Sequence, residues 1–430
     1  MAPLSPRRVA VFPWGDVIED FLAPLGLTAQ DYAQRMSGGW LFGYVAGLQA
    51  NGIEPVVIHA SAAVKEPVRL VHAQTEAPIV LVPGKSSGEG WTSSRPSVAA
   101  VASWARTPLW RFAQVLRREG CDAVLVQDYE HPRFDALALM CAGLRLPLYA
   151  SFQGGDVTLS PLERRMRGLS LRRCRGLAVA SARERRRLRE TYGLQRQVRD
   201  IPNPVDAGFW RAVPREPARM ALGIGPEELV FFNHGRIDIQ RKGLDVLLSA
   251  WREVGRARPA RLVILGSGQD RAAFAQMLQG QDNVSWISDY VADPPLIRRW
   301  LSAADAYVTL SRTEGMPVAP LEAMACGLPV VASDAHGLAD LFDEGEASGG
   351  LLVPRGEAAP AVKAMLRLAD SAELRRRLGK AARRRIEGRF SVRAVGAALA
   401  EMMWQVPVER GAKVAPNDGG EPGARLSPPA

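Results

Sequence analysis

This sequence predicts an α/β protein of two doubly wound parallel-sheet domains, on three observations. Short apolar runs alternate with longer helical patterns along the chain, and such alternation builds parallel sheets covered by helices on both faces. A length of 430 residues with 47% hydrophobic content is too great for one ordinary domain, so two are expected. At Ile201-Pro-Asn-Pro-Val-Asp206 two prolines stop regular structure before a polar connection, which sets the boundary there.

The strands follow in order. In the first half they are expected over 9–12, 55–59, 123–126, 148–152, 177–180 and 198–201, and in the second over 229–233, 261–265, 283–287, 306–310 and 329–332. Residues 1–205 then form one domain and 206–390 another, and sites in such sheets lie outside the carboxyl ends of the strands. Val395, Leu399 and Met402 share one face of a helical pattern, so residues 391–406 read as a closing helix that packs back toward the first domain. The Pro- and Gly-rich stretch 407–430 reads as a disordered tail. Residues 85–96 read as a flexible loop able to cover an acceptor.

The net charge of +10 comes almost wholly from arginine, because lysine occurs only at 65, 85, 242, 363, 380 and 413. Nucleic acid, an acidic membrane surface and a merely arginine-rich composition all fit that excess. No run of aromatics interleaves with the basic residues, which speaks against nucleic acid. Cys121, Cys141, Cys174 and Cys326 stand alone, and His59, His72, His131, His234 and His336 are scattered. These fit reduced thiols in a cytoplasmic protein with no metal site. Met1 to Arg8 run straight into a strand pattern, and no apolar run is long enough to span a bilayer, so a soluble or peripheral protein is expected.

The chemistry concentrates in Glu314-Gly-Met-Pro-Val-Ala-Pro-Leu-Glu322, a loop that leaves a buried strand and enters a helix. Gly315 permits close backbone approach, Pro317 suits a first helical turn, and exposed N–H groups there grip an anion. Two glutamates at a helix start can also serve only as favourable charges near its positive end. Arg236 and Lys242 follow the strand pattern 229–233. A planar guanidinium and a compact ammonium suit a diphosphate whose charge grows as its substituent leaves. Gly266-Ser-Gly268 lacks the third glycine and acidic partner of a dinucleotide fingerprint, which argues against an NAD enzyme.

Glu314 and Glu322, Gly235-Arg236 with Lys242-Gly243, Gly266-Ser-Gly268, Asn203-Pro-Val-Asp206 and Gly350-Leu-Leu-Val-Pro354 occur together and in order. As a set they resemble retaining glycosyltransferases of family 4 (glycosyl transferases group 1), closely in the second half and loosely in the first. The resemblance implies a GT-B fold, two Rossmann-like domains facing a cleft. It assigns the donor diphosphate to Arg236 and Lys242, donor-sugar hydroxyls to Glu314 and the ribose to Glu322. Gly235, Gly266, Gly268, Gly315, Met316 and Pro317 join the donor site, with 286–291 near the base. From the first domain, Gly38 and Gly39 approach the phosphate. Ser151-Phe-Gln-Gly-Gly-Asp156 stands where many relatives carry His-Gly-x-Asp. Gln153 cannot take a proton but can hold a hydroxyl, and it and Asp156 are candidates for the acceptor or sugar.

The resemblance therefore implies transfer from a nucleotide sugar, UDP- or GDP-linked, to a sugar, glycolipid or lipid-linked acceptor, with no cofactor and no metal, in polysaccharide or glycolipid synthesis. A front-face reaction, in which the departing phosphate oxygen accepts the acceptor proton, fits the absence of any Ser-His-Asp set or paired glycosidase carboxylates. The basic stretch 164–189 is either a solvated face or a contact with anionic lipid at the inner membrane surface. The competing readings are a nucleotide-sugar 2-epimerase-like enzyme, which needs acid and base residues not found here, and a catalytically silent nucleotide-binding protein on the same fold.

Overall fold

A computed structural model describes residues 7–23, 26–36, 41–85, 96–154, 159–288 and 293–404. The first sheet holds β1 (Arg7–Phe12), β2 (Ile53–Ser61), β3 (Val68–Val71), β4 (Pro78–Pro83), β5 (Ala123–Gln127), β6 (Leu148–Ser151), β7 (Gly176–Ala178) and β8 (Val198–Arg199). They lie in the order β3-β4-β2-β1-β5-β6-β7-β8. The second holds β9 (Leu229–His234), β10 (Ala260–Leu265), β11 (Val284–Ile287), β12 (Ala306–Thr309), β13 (Val330–Ser333) and β14 (Gly350–Val353), in the order β11-β10-β9-β12-β13-β14.

Alternate residues of each strand feed opposite cores, as the period of two requires. In β1, Ala10 and Phe12 join a cluster beneath the helices Leu109–Arg118 and Arg133–Leu144, while Val9 and Val11 join one beneath Phe42–Gln49 and Val392–Trp404. The second sheet likewise has a core on each face. The central strands β5, β6, β7, β12 and β13 are buried from end to end, which is why they read as continuous apolar runs.

One departure from parallel pairing corrects the sequence reading: β3 runs antiparallel to β4. The two are joined by a tight turn in which His72 N–H donates to the Ala77 carbonyl and Glu76 takes φ 55°, and a short connection allows only antiparallel pairing. The exposed β3 is only four residues long, and β4 is bracketed by prolines that read as breakers.

The chain passes between the sheets twice, side by side. Val205 N–H donates to the Phe390 carbonyl at 2.8 Å and Val392 N–H to the Val205 carbonyl at 3.2 Å, so the connection at 203–206 is bonded to the segment that returns. The returning helix Val392–Trp404 lies against Phe42–Gln49, where Gly47 and Gly396 leave no room for a Cβ between the backbones. The Tyr149 hydroxyl of β6 donates to the Met403 carbonyl at 2.5 Å. The stretch 407–430 lies outside the described residues. Among those described, no helix is long and apolar enough to cross a membrane.

Candidate active site

Both sheets turn the carboxyl ends of their strands toward the same cleft. Gly154, after β6, and Gly315, after β12, meet backbone to backbone: a Cβ on either would overlap the other residue or the Gln153 carbonyl. On the second sheet the cleft opens where β9 lies between β10 and β12, the position at which strand order reverses and loops diverge.

Three loops at that edge are bonded together. Gly235 N–H donates to the Leu265 carbonyl, Gly266 N–H to Ile287 and Ile237 N–H to Ser267, all within 3.0 Å. Gly266 rests on the Gly235 carbonyl and Gly268 on that of Ile237, and side chains at either would overlap those atoms. Trp286 Nε1 donates to the Gly266 carbonyl at 3.0 Å, which sets its indole beside the same turn.

Asp238 caps the short helix Ile239–Lys242, which ends at Gly243 with φ 59°. The left-handed backbone, and a Leu310 carbonyl lying where a Cβ would be, restrict the position to glycine. That turn delivers Lys242 Nζ to 2.6 Å from Glu314 Oε1. Glu314 is buried, and the same oxygen accepts from Ser311 Oγ at 2.7 Å, with Arg241 3.9 Å from Oε2. Arg312 latches the loops through Asp245, at 2.8 and 2.7 Å, and the Gln240 carbonyl at 2.9 Å. Arg236 is exposed beside them and has no hydrogen bond or ion pair among the described residues. One cation is thus already neutralised, and the other is available.

Gly315, Met316 and Pro317 lead into the helix Val318–Ala325, with Pro317 as its N-cap. One and a half turns along, Glu322 Oε2 meets His234 Nε2 at 2.8 Å. His234 is the last residue of β9; its ring stacks on Phe232, and its carbonyl accepts from the Tyr307 hydroxyl at 3.2 Å. Burial pushes the Tyr307 phenol far upward, which keeps it a neutral donor. Glu322 also borders a cavity of about 490 Å³ reaching to Arg35, Phe42, Asp206 and Pro295 near the interdomain connection.

The structure brings Arg236, Lys242, Glu314, Gly235, Gly266, Gly268, Gly315, Met316, Pro317 and Glu322 to one edge, and Gln153 to the facing one. The Gln153 side-chain amide donates to Ser151 Oγ at 3.0 Å, and so points back into its own strand end. Gly38, Gly39, Asp156 and residues 289–291 lie outside the described residues. Among the described residues no three His, Cys, Asp or Glu are disposed to hold a metal. Sequence reasoning missed His234, Ser311 and Arg312. Only His234 left a signal, by adjoining Gly235 at the end of an apolar strand.

Two family models match the chain: Glycosyltransferase Family 4 over residues 42–209 and Glycosyl transferases group 1 over 228–371. Between them they cover every strand of both sheets except β1, and the chain belongs to the group 1 glycosyltransferases of GT-B fold. It is 37% identical over 147 residues to a D-inositol 3-phosphate glycosyltransferase of Segniliparus rotundus, covering 32% of each chain. It is 27% identical to a GDP-mannose-dependent monoacylated alpha-(1-6)-phosphatidylinositol monomannoside mannosyltransferase of Corynebacterium glutamicum, covering 52% of this chain and 60% of that one. The matches thus span from 32% to 60% of these relatives' own length. In fold it resembles a sucrose-phosphate synthase of Thermosynechococcus elongatus, with TM-score 0.70, 19% identity and coverage of 93% and 99%. It likewise resembles Anabaena HepE crystallised with UDP, with TM-score 0.69, 14% identity and coverage of 93% and 100%.

Proposed function

We propose that this chain transfers a sugar from a UDP- or GDP-linked donor to a hydroxyl of a sugar, glycolipid or lipid-linked acceptor, with retention of configuration and without a cofactor or metal ion. The observation that carries this reading is the Lys242–Glu314 contact at 2.6 Å, with Arg236, unpartnered among the described residues, beside it. It sets cations and a carboxylate at one strand edge, opposite the other domain.

Arg236 and Lys242 hold the diphosphate, and their attraction strengthens as the bond from anomeric carbon to phosphate oxygen stretches and charge gathers on that oxygen. The amides of Gly315 and Met316, before a helix N-terminus, face the same anion. Glu314 accepts from donor-sugar hydroxyls, and Glu322 from the ribose. The acceptor oxygen bonds to the anomeric carbon on the face the phosphate leaves. Its proton passes to the departing phosphate oxygen, so the configuration is kept and no protein base is required. Gly38 and Gly39 approach the phosphate from the first domain, and Gln153 and Asp156 serve the acceptor or the sugar. Four free, buried cysteines suit a reducing cytoplasm, where the product would enter a polysaccharide or glycolipid.

The test is a thermal-shift screen against UDP, GDP, ADP and their sugars, followed by a transfer assay with the sugar nucleotide that stabilises most. A ligand that binds only the folded state raises its melting temperature. No shift with any of them, and no donor turnover, would overturn the proposal.

A further inference from the structure

Seven of the eleven exposed large apolar side chains among the described residues lie on four helices of the first domain: Val98 and Val101, Trp110, Leu139, and Leu162, Met166 and Leu169. The helices are Pro96–Arg106, Leu109–Arg118, Arg133–Leu144 and Pro161–Arg173, and each touches at least one of the others. On the last of them, Leu162, Met166 and Leu169 fall at i, i+4 and i+7, a single stripe facing solvent.

Charge on this face has one sign. The only carboxylates on the four helices, Asp135 and Glu163, are buried, one against Arg167 and the other closing the capping box on Ser160. Arg117, Arg118, Arg164, Arg165 and Arg173 are exposed and have no ion pair among the described residues. Some arginines elsewhere are matched: Arg367 and Arg377 flank Glu346, and Arg389 bridges Asp200 and Asp343. On the next helix, Ala182–Tyr192, Arg187 pairs with Glu184 and Glu130, and Arg185 with Asp200.

We infer that this four-helix face docks on an anionic lipid bilayer. Apolar side chains on convex helix ridges between unpaired arginines match an interface of acyl chains beneath negative headgroups. A second copy of the chain would bring like charge against like in a two-fold contact. The face also borders the cleft. The helix Pro161–Arg173 begins seven residues after Gly154, which meets Gly315, and Ser103 Oγ donates to Asp16 Oδ1, just after β1, at 2.5 Å. The inference rests on the proposed function in one respect: docking here would present the cleft to a lipid-linked acceptor.

The experiment is flotation of the full chain with vesicles of phosphatidylcholine, alone or with one third phosphatidylglycerol. Two triple variants accompany it, Leu162→Gln/Met166→Gln/Leu169→Gln and Arg164→Gln/Arg165→Gln/Arg173→Gln. The native chain should float with the anionic vesicles only. The arginine variant should lose roughly 100-fold in partitioning, at about 1 kcal/mol for each cation near the surface, and the apolar variant should lose most of its binding even at low salt. All six positions are exposed, so melting temperatures and nucleotide-induced shifts should match the native chain. Failure of the proposed function would instead remove those shifts and leave flotation intact. Equal flotation with neutral vesicles, or binding unchanged in both variants, would overturn the inference. So would a concentration-dependent dimer in light scattering that only the apolar variant abolishes.

Discussion

His234 Nε2 lies 2.8 Å from Glu322 Oε2, and this contact fixes the carboxylate proposed to hold the ribose. Glu322 is on a helix and His234 ends a strand 88 residues earlier, so packing of helix on sheet sets their distance. Phe232 and Tyr307 hold the imidazole from two sides, and Glu322 Oε1 has no protein hydrogen bond among the described residues. His234→Phe keeps the ring and its stacking but removes the bond. A hydrogen bond to a charged group is worth about 1.5–3 kcal/mol, so nucleoside diphosphate affinity should fall roughly 10-fold or more. Calorimetry showing an unchanged Kd would refute the positioning role.

Arg236 and Lys242 should separate in their effects on stability. Arg236 is exposed and unpartnered among the described residues, so Arg236→Ala should leave the unfolding free energy within about 0.5 kcal/mol while lowering transfer roughly 100-fold or more. Lys242→Ala should lower transfer as much and also destabilise the fold by about 1–3 kcal/mol, because it strips a buried carboxylate of its partner. Adding Glu314→Gln to Lys242→Ala should restore much of that stability and none of the activity. Urea unfolding set beside donor turnover checks both halves, and equal stability of the two single variants would count against the buried pair.

Much of this was legible because parallel strands buried on both faces announce themselves as apolar runs, and because the loops after β9 and β12 carry their glycines and charges in one short window each. The helix Pro161–Arg173 could be anticipated from Ser160-Pro161 and Glu163, which form the capping box seen in the fold. What escaped depends on contacts far apart in sequence. Arg312 bonding to Asp245 and His234 to Glu322 arise only when distant segments of the second domain pack together, and Gly154 touching Gly315 only when the two sheets face one another. In sequence the basic stretch 164–189 reads as either a solvated face or a lipid contact. Burial divides it, because Arg167 and Arg187 serve internal carboxylates while Arg164 and Arg165 do not.

Closure of the cleft should depend on Gly315. A Cβ there would overlap the Gln153 carbonyl and Gly154, backbone atoms that cannot rotate away. Gly315→Ala should therefore push the domains apart. Small-angle scattering should show a larger radius of gyration, and overpacking should cost about 1–3 kcal/mol. Transfer should fall as water gains access to the donor, with hydrolysis rising relative to transfer. An unchanged radius together with native turnover would show that the two domains do not need this contact.

Stability should respond to pH through a group far from the cations. His59 is buried with Nε2 against the Tyr32 hydroxyl at 2.8 Å, and burial pushes its pKa from 6.5 down to about 3. Below pH 6.5 the unfolded chain takes up a proton that the folded chain refuses, so this group's contribution is lost as pH falls toward 3, at about 1.4 kcal/mol per pH unit. Burial acts oppositely on Asp128, raised to about 6, and also raises Glu130. Their folded forms hold protons that the unfolded chain releases, so they favour the fold at low pH, and the total curve mixes both signs. The difference between native chain and His59→Gln isolates the histidine. Glutamine cannot titrate, and its amide still reaches the Tyr32 hydroxyl. Native stability should fall relative to the variant by about 2–3 kcal/mol between pH 6.5 and pH 4.5, read from urea midpoints. Parallel curves over that range would mean that His59 is not held neutral in the fold.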